Sequence, residues 1–251
     1  MHRFYLPPEQ CCGASLQLAG REAHHALHVL RLRQGDRLTV LDGAGHEFLC
    51  EVRRASRDTV PLAVVGKKSS PPLPCRITLL QAIPKGKLFD SIIQKATELG
   101  AFRIVPILAE RVVSKLDPEE TANKSGKWRQ VAIEAIKQCG SPWLPQVESP
   151  LTPGQFLSRG EAFDLPLVAA LESERRHPRE WFREFYAAHK RLPASACVWI
   201  GPEGDLTPEE MDQIKGHGAL PITLGPWVLR TETAAIYCLS ILNYELQCQA
   251  A

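Results

Sequence analysis

Ile200-Gly201-Pro202-Glu203-Gly204-Asp205-Leu206-Thr207 is the stretch on which the fold turns. The apolar run 197–200 reads as a strand and stops at a Gly-Pro-Glu-Gly turn. Thr207 then stands at an N-cap, Pro208 at the first helical position and Glu210 at the third, which is a capping box. Working outward, the same alternation fills the C-terminal two thirds. Residues 76–83 read as a strand. Leu88, Phe89, Ile92, Ile93, Ala96 and Leu99 share one helical face, and Gly100 ends that helix. Residues 104–108 read as a strand in which Pro106 marks an end or an edge. Residues 128–139 read as a helix, and 165–171 and 222–224 as strands. The densely charged 172–191 reads as a solvated helix. This alternation predicts an α/β fold with a mostly parallel sheet covered on both faces, and no internal repeat is visible.

Upstream the rhythm differs. Leu38-Thr39-Val40-Leu41-Asp42 and Glu47-Phe48-Leu49-Cys50-Glu51-Val52 alternate on either side of Gly43-Ala44-Gly45, a hairpin pattern. Residues 60–65 read as a further strand. A short helix is expected over 21–31, where Ala23, Leu27 and Leu30 recur near helical spacing. Short strands of this kind fit a small barrel. Lys67-Lys68-Ser69-Ser70-Pro71-Pro72-Leu73-Pro74 is polar and proline-rich, so it reads as a linker between a domain at 1–70 and one at 75–251.

The composition is that of an ordinary folded protein: 251 residues, 44% hydrophobic and 23% charged. Thirty basic residues against 28 acidic leave a net charge of +2, so charge alone does not select nucleic acid as a partner. The eight cysteines form no C-x-x-C pair, which argues against a zinc ribbon, and each reads as a small buried hydrophobe. No secretory signal and no apolar run of the roughly 18 residues a membrane span needs is visible, so a reducing cytoplasm is the expected setting.

Two segments carry candidate chemistry. The Gly201–Gly204 turn falls at the carboxyl end of a strand, where parallel sheets bind ligands; a tight turn with no ligand is the competing reading. Leu224-Gly225-Pro226-Trp227-Val228-Leu229-Arg230-Thr231-Glu232-Thr233-Ala234 brings a second Gly-Pro turn, then Arg230 and Glu232 at the start of a helix running to about Gln247. Thr231 or Thr233 is the natural N-cap, and a structural ion pair of Arg230 with Glu232 is the alternative to a functional role. Other motifs fail. No G-x-G-x-x-G follows a strand, Lys85-Gly86-Lys87 lacks the rest of a P-loop, no G-x-S-x-G occurs, and His24 and His28 lack further ligands for a metal.

In order along the chain stand His24-His25-Ala26-Leu27-His28-Val29-Leu30-Arg31 with Gly35-Asp36, Val40-Leu41-Asp42-Gly43, Ile93-Gln94-Lys95-Ala96-Thr97-Glu98-Leu99-Gly100, Glu110-Arg111, Lys127-Trp128, Glu134-Ala135, Gln138-Cys139-Gly140, and the two segments above. Together they resemble the RsmE family of SPOUT-class RNA methyltransferases over nearly the whole chain. That resemblance implies an α/β C-terminal SPOUT domain with a deep trefoil knot and a mostly parallel sheet, and an N-terminal PUA-like β-barrel that helps grip RNA. It implies a homodimer that uses S-adenosylmethionine to methylate N3 of a uridine in the decoding region of 16S ribosomal RNA. The donor site it implies comprises Leu171; Ile200, Gly201, Glu203 and Gly204; and Leu224, Gly225, Val228, Leu229 and Thr231. Arg230 is the expected catalytic residue, stabilising charge on the uracil oxygens, and Glu232 its orienting partner or the proton acceptor. Arg3, His28, Arg31, Arg33 and Lys95 are the expected RNA contacts. Three positions depart from the family pattern: Asp205 in place of a usual glycine, and Trp227 and Ser141 in place of usual arginines. Trp227 offers a stacking surface for a base instead. A methyltransferase for another RNA base, and a non-catalytic ribosome-assembly protein, are the competing readings.

Overall fold

The computed structural model describes residues 1–86, 88–111, 118–171 and 174–248. They form two compact units, Met1–Pro72 with Ile133–Leu144, and Leu73–Ala132 with Pro145–Ala251.

In the first unit β1 (Arg3–Tyr5), β2 (Ser15–Ala19), β3 (Arg37–Leu41), β4 (His46–Val52) and β5 (Thr59–Ser69) make one sheet in the order β1-β3-β4-β5-β2. Only the β1–β3 pair is parallel. The sheet curls into a half-barrel around Phe4, Leu18, Leu38, Val40, Cys50 and Leu62, all buried. The β3–β4 hairpin follows the alternation in the sequence. Its turn is tied by Asp42, whose Oδ1 accepts from the Ala44 and His46 amides at 2.8 and 2.9 Å. The expected helix divides into α1 (Gly20–His24) and a wider π-type turn, His25–Val29, closed by the Leu30 amide on the His25 carbonyl.

The expected linker begins too early. Lys67 and Lys68 lie in β5, paired with Phe48 and Glu47. β2 pairs with β5 at 59–63 and the Val64 amide donates to the Ala14 carbonyl, so 65–69 form an open edge where polar side chains cost little.

Ile133–Leu144 packs Ile133, Ile136 and Leu144 against Tyr5. The following turn sets Trp143 beside Gly45, and Trp143 Nε1 donates to the Pro71 carbonyl at 3.1 Å. Gly45 has φ +95°, and a Cβ there would stand 2.4 Å from the Trp143 ring. Gly45→Ala is therefore expected to cost about 2–4 kcal/mol, part backbone strain and part overpacking. Gly35→Ala, at φ +92° with open space around it, carries the backbone part alone, about 1 kcal/mol. Urea unfolding of both variants checks this; equal losses would remove the packing argument.

The second unit holds β6 (Arg76–Ala82), α2 (Leu88–Glu98), β7 (Arg103–Ile107), α3 (Pro118–Cys139, whose last turns belong to the first unit), β8 (Gln146–Val147), α4 (Pro153–Leu157), β9 (Leu165–Ala169), α5 (Pro178–His189), β10 (Ser195–Ile200), α6 (Pro208–Gly216), β11 (Leu220–Ile222) and α7 (Thr231–Leu246). The sheet order is β11-β9-β10-β6-β7-β8, and every pair is parallel. The mostly parallel sheet read from the sequence is thus present. Leu80, Val105, Val168, Cys197 and Trp199 of its central strands are buried against Met211 and Ile214 of α6. Each such side chain contributes on the order of 2 kcal/mol relative to exposure.

Gly100 ends α2 at φ +75°, as its sequence position requires, and Thr207, Pro208 and Glu210 form the expected capping box of α6. Pro106 lies inside β7 opposite Gln81. The two-residue β8 pairs only with Arg103 and Ile104, so the missing N–H of Pro106 has no ladder partner to lose on that side. Three readings differ. β11 ends at Ile222, leaving Thr223 and Leu224 in the loop. Of the predicted 172–191 segment, Glu172 and Ser173 lie outside the described residues, and α5 fills 178–189; it is less solvated than its charge suggests, since Phe182 and Phe185 are buried along one face. Leu88, placed on the apolar face of α2, is 40% exposed.

Five cysteines are buried and three, Cys12, Cys139 and Cys248, are exposed. Burial pushes the thiols of Cys75, Cys197 and Cys238 up to about 12, so these behave as small hydrophobes rather than nucleophiles.

Candidate active site

β9, β10 and β11 are neighbours in the sheet and point the same way, so the loops leaving their carboxyl ends converge. Together with the start of α7 they enclose a cavity of about 480 Å³. From β9 come Ala169, Ala170 and Leu171. The β10 loop contributes Ile200, Gly201, Glu203 and Asp205. The β11 loop contributes Leu224, Gly225, Trp227, Val228 and Leu229, and α7 closes the wall with Arg230 and Thr231. Of the expected donor-site residues Gly204 is not in this wall; it lies against the Arg111 side chain.

The loops are cross-braced, in part by Gln81, which the sequence reading passed over. Arg111 Nη1 donates to the Gly204 carbonyl at 2.8 Å. Glu203 Oε1 accepts from the Lys85 amide at 3.1 Å, which ties the β6–α2 loop to the β10 turn. Gln81, fully buried in β6, donates through Nε2 to Thr231 Oγ1 at 2.9 Å, and Thr231 Oγ1 donates to the Gly201 carbonyl at 2.7 Å. A glutamine in the otherwise apolar run 77–83 was a legible signal, because a buried amide must find partners. Thr231 is therefore not the N-cap. That position is Arg230, with no side-chain cap, because the threonine hydroxyl is already committed across the site.

Among the described residues four charged groups line the cavity: Arg175, Glu203, Asp205 and Arg230. Arg175 hydrogen-bonds the Leu171 and Ala170 carbonyls, and nothing in its sequence neighbourhood marked it. Arg230 is exposed; its carbonyl accepts from the Ala234 amide at 2.8 Å, but its guanidinium makes no ion pair or hydrogen bond among the described residues. The structural ion pair with Glu232 does not form. Glu232 is half-buried in the first turn of α7, outside the cavity wall, where the helix dipole favours an acid. Trp227 and Val228 are 79% and 76% exposed at the cavity rim.

The expected RNA contacts are dispersed. His28, Arg31 and Arg33 are exposed on the first unit, with the His28 ring 4.8 Å from that of His24. Lys95 is half-buried on α2 in the second. Arg3 is exposed, but its guanidinium donates to the Lys137 and Gln138 carbonyls at the end of α3. Gly140 makes room for it: φ is +83°, and a Cβ would stand 2.8 Å from Arg3 Cζ. Ser141 closes a turn. Its hydroxyl donates to the Trp143 carbonyl and accepts from the Trp143 amide.

An RNA methyltransferase domain model matches residues 71–243, and an RNA methyltransferase PUA domain model matches residues 18–64. The ribosomal RNA small subunit methyltransferase E of Bacillus subtilis is 34% identical over 93% of this chain and 91% of its own length. The chain belongs to the ribosomal RNA small subunit methyltransferase E family.

Two solved structures share the fold across both units. A methyltransferase from Legionella pneumophila, in complex with the cofactor S-adenosylmethionine, aligns with a TM-score of 0.86 at 34% identity over 97% of each chain. The family member from Neisseria gonorrhoeae, bound to S-adenosylmethionine, aligns with a TM-score of 0.83 at 25% identity over 98% of each chain. The cavity fits such a donor on its own merits. Its volume lies in the range that holds small ligands, and Ala169, Ile200 and Leu229 offer apolar walls. Gly225, at φ +111° with nothing within 4 Å of a Cβ, leaves its backbone open to close approach. Two carboxylates suit a cationic sulfonium.

Proposed function

We propose that this chain methylates N3 of a uridine in the 16S ribosomal RNA of the small subunit, using S-adenosylmethionine held in the cavity at the ends of β9, β10 and β11. When bound, S-adenosylmethionine supplies an electrophilic methyl carbon whose bond to sulfur breaks as the bond to N3 forms. The chain's own residues supply position and charge. Apolar walls and the Gly201 and Gly225 turns hold the donor, while the brace from Gln81 through Thr231 to Gly201 keeps two walls of the site in register. Uracil N3 carries a proton that must leave, and negative charge then spreads to the flanking oxygens. Arg230 stabilises that charge, and Glu232, two positions along α7, is the nearest acid in sequence to accept the proton. The observation that carries this reading is the unpaired Arg230 guanidinium in the wall of the cavity. A cation with no internal partner keeps its full charge for a substrate.

The three loops that form the cavity are those the family reading assigns to a deep trefoil knot, and the knot is part of the proposal. So is a homodimer, supported by Leu88, Tyr237 and Tyr244, which remain exposed on α2 and α7. Among the described residues no helix is long and apolar enough to cross a membrane.

RNA grip is assigned to the first unit through His28, Arg31 and Arg33, and to Lys95 and Trp227 in the second; Arg3 serves chiefly as a helix cap. Trp227→Ala is expected to raise the KM for small subunits about tenfold, since one stacked base contributes on the order of 1–3 kcal/mol. The donor's Kd should stay within about twofold. Loss of donor affinity instead would move Trp227 to the donor side of the site. The direct test is transfer of labelled methyl to small subunits lacking the modification, followed by nucleoside analysis. Label in 3-methyluridine supports the reading, label in another nucleoside replaces the substrate, and donor binding without label refutes the activity.

A further inference from the structure

Asp205 holds a backbone conformation that its side chain opposes. Its φ is +61°, in the left-handed region where a Cβ costs about 1 kcal/mol relative to glycine. The side chain is fixed in place. Oδ1 accepts from the Leu206 amide at 2.8 Å, and Gly201 leaves the space it needs, since a Cβ at 201 would stand 3.0 Å from that oxygen. The carboxylate is half-buried in the cavity wall beside Glu203, and among the described residues no cation pairs with it. A partly desolvated, unneutralised anion projects its field into the cavity rather than into a partner.

The ligands that enter and leave this site differ by one charge. S-adenosylmethionine carries a sulfonium; after transfer the sulfur is a neutral thioether, and the ammonium and carboxylate of the amino-acid end are unchanged. We propose that Asp205 is a donor-discriminating residue, whose carboxylate favours the cationic donor over the uncharged product and so eases product release. The inference rests on the S-adenosylmethionine reading of the cavity. Its strain is the structural cost of placing a charge where glycine would be relaxed.

Titration calorimetry of the full chain with S-adenosylmethionine, S-adenosylhomocysteine and sinefungin tests it. Sinefungin carries an amine cation in place of the sulfonium. Asp205→Asn keeps the acceptor for Leu206 and tolerates positive φ, while Asp205→Gly relaxes the backbone; both remove the charge. In both variants the preference for S-adenosylmethionine over S-adenosylhomocysteine should fall about three- to tenfold, with sinefungin following the donor. In the wild type the same preference should shrink as ionic strength rises from about 0.05 to about 1 M. An unchanged ratio in both variants, or a change confined to Asp205→Gly, overturns the role of Asp205 and leaves the donor reading intact. Failure of the wild type to bind S-adenosylmethionine overturns the donor reading, and this inference with it.

Discussion

Arg230→Ala is expected to lower the rate of methyl transfer a hundred- to a thousandfold while leaving the affinity for S-adenosylmethionine within about twofold. The expectation follows from what Arg230 does and does not touch. Its guanidinium makes no hydrogen bond or ion pair among the described residues, so truncating it strands no internal partner. It stands at the N-cap of α7, where the positive end of the helix dipole disfavours a cation by about 0.3–1 kcal/mol. The alanine variant should therefore unfold at the same temperature as the wild type or slightly above it. Single-turnover transfer to small subunits, run beside calorimetric donor titration, separates the roles. A parallel loss of donor affinity would assign Arg230 to the donor pocket and remove it from charge stabilisation. Arg230→Lys keeps the charge without the planar fork and should fall between the two.

A second large effect, on stability, is expected away from the chemistry. Lys137→Met should destabilise the protein by about 3 kcal/mol. Lys137 is buried, and its Nζ sits 2.8 Å from Glu22 Oε1 and 3.2 Å from Glu134. Glu22 Oε2 already lacks a partner, so removing the ammonium leaves a largely buried carboxylate with no cation. The double variant Lys137→Met/Glu22→Leu removes both charges and should recover to within about 1 kcal/mol of the wild type, because an apolar pair avoids the desolvation penalty. Urea midpoints by circular dichroism decide it. Additive losses in the double variant would show that the two residues act through packing and not through their charges.

What could be read from the chain follows from the range of the interactions involved. The capping box at Thr207, the glycine stop at Gly100, the hairpin at 38–52 and the strand–helix alternation are local. Each depends on residues a few positions apart, so periodicity and turn chemistry suffice. The location of the cavity was legible for a related reason: a turn at the carboxyl end of a parallel strand has only one side on which to meet a ligand.

The tertiary structure alone decided the assignments that depend on distant partners. Thr231 reads as a cap until Gly201, 30 residues away, and Gln81, 150 away, take its hydroxyl. Arg3 shows no local sign of the carbonyls at the end of α3 to which its guanidinium donates. Lys67 and Lys68 read as linker until β4 offers them a ladder. In each case the local signal was correct about the group's chemistry and silent about its partner, because a hydrogen-bonding group goes to whichever complementary atom the folded chain brings within about 3 Å. The sequence by itself determined which elements form and what kind of site their ends make. Only the folded chain decided which polar groups brace that site and which charged side chains of its wall, like Arg230 and Asp205, have no partner of opposite charge among the described residues.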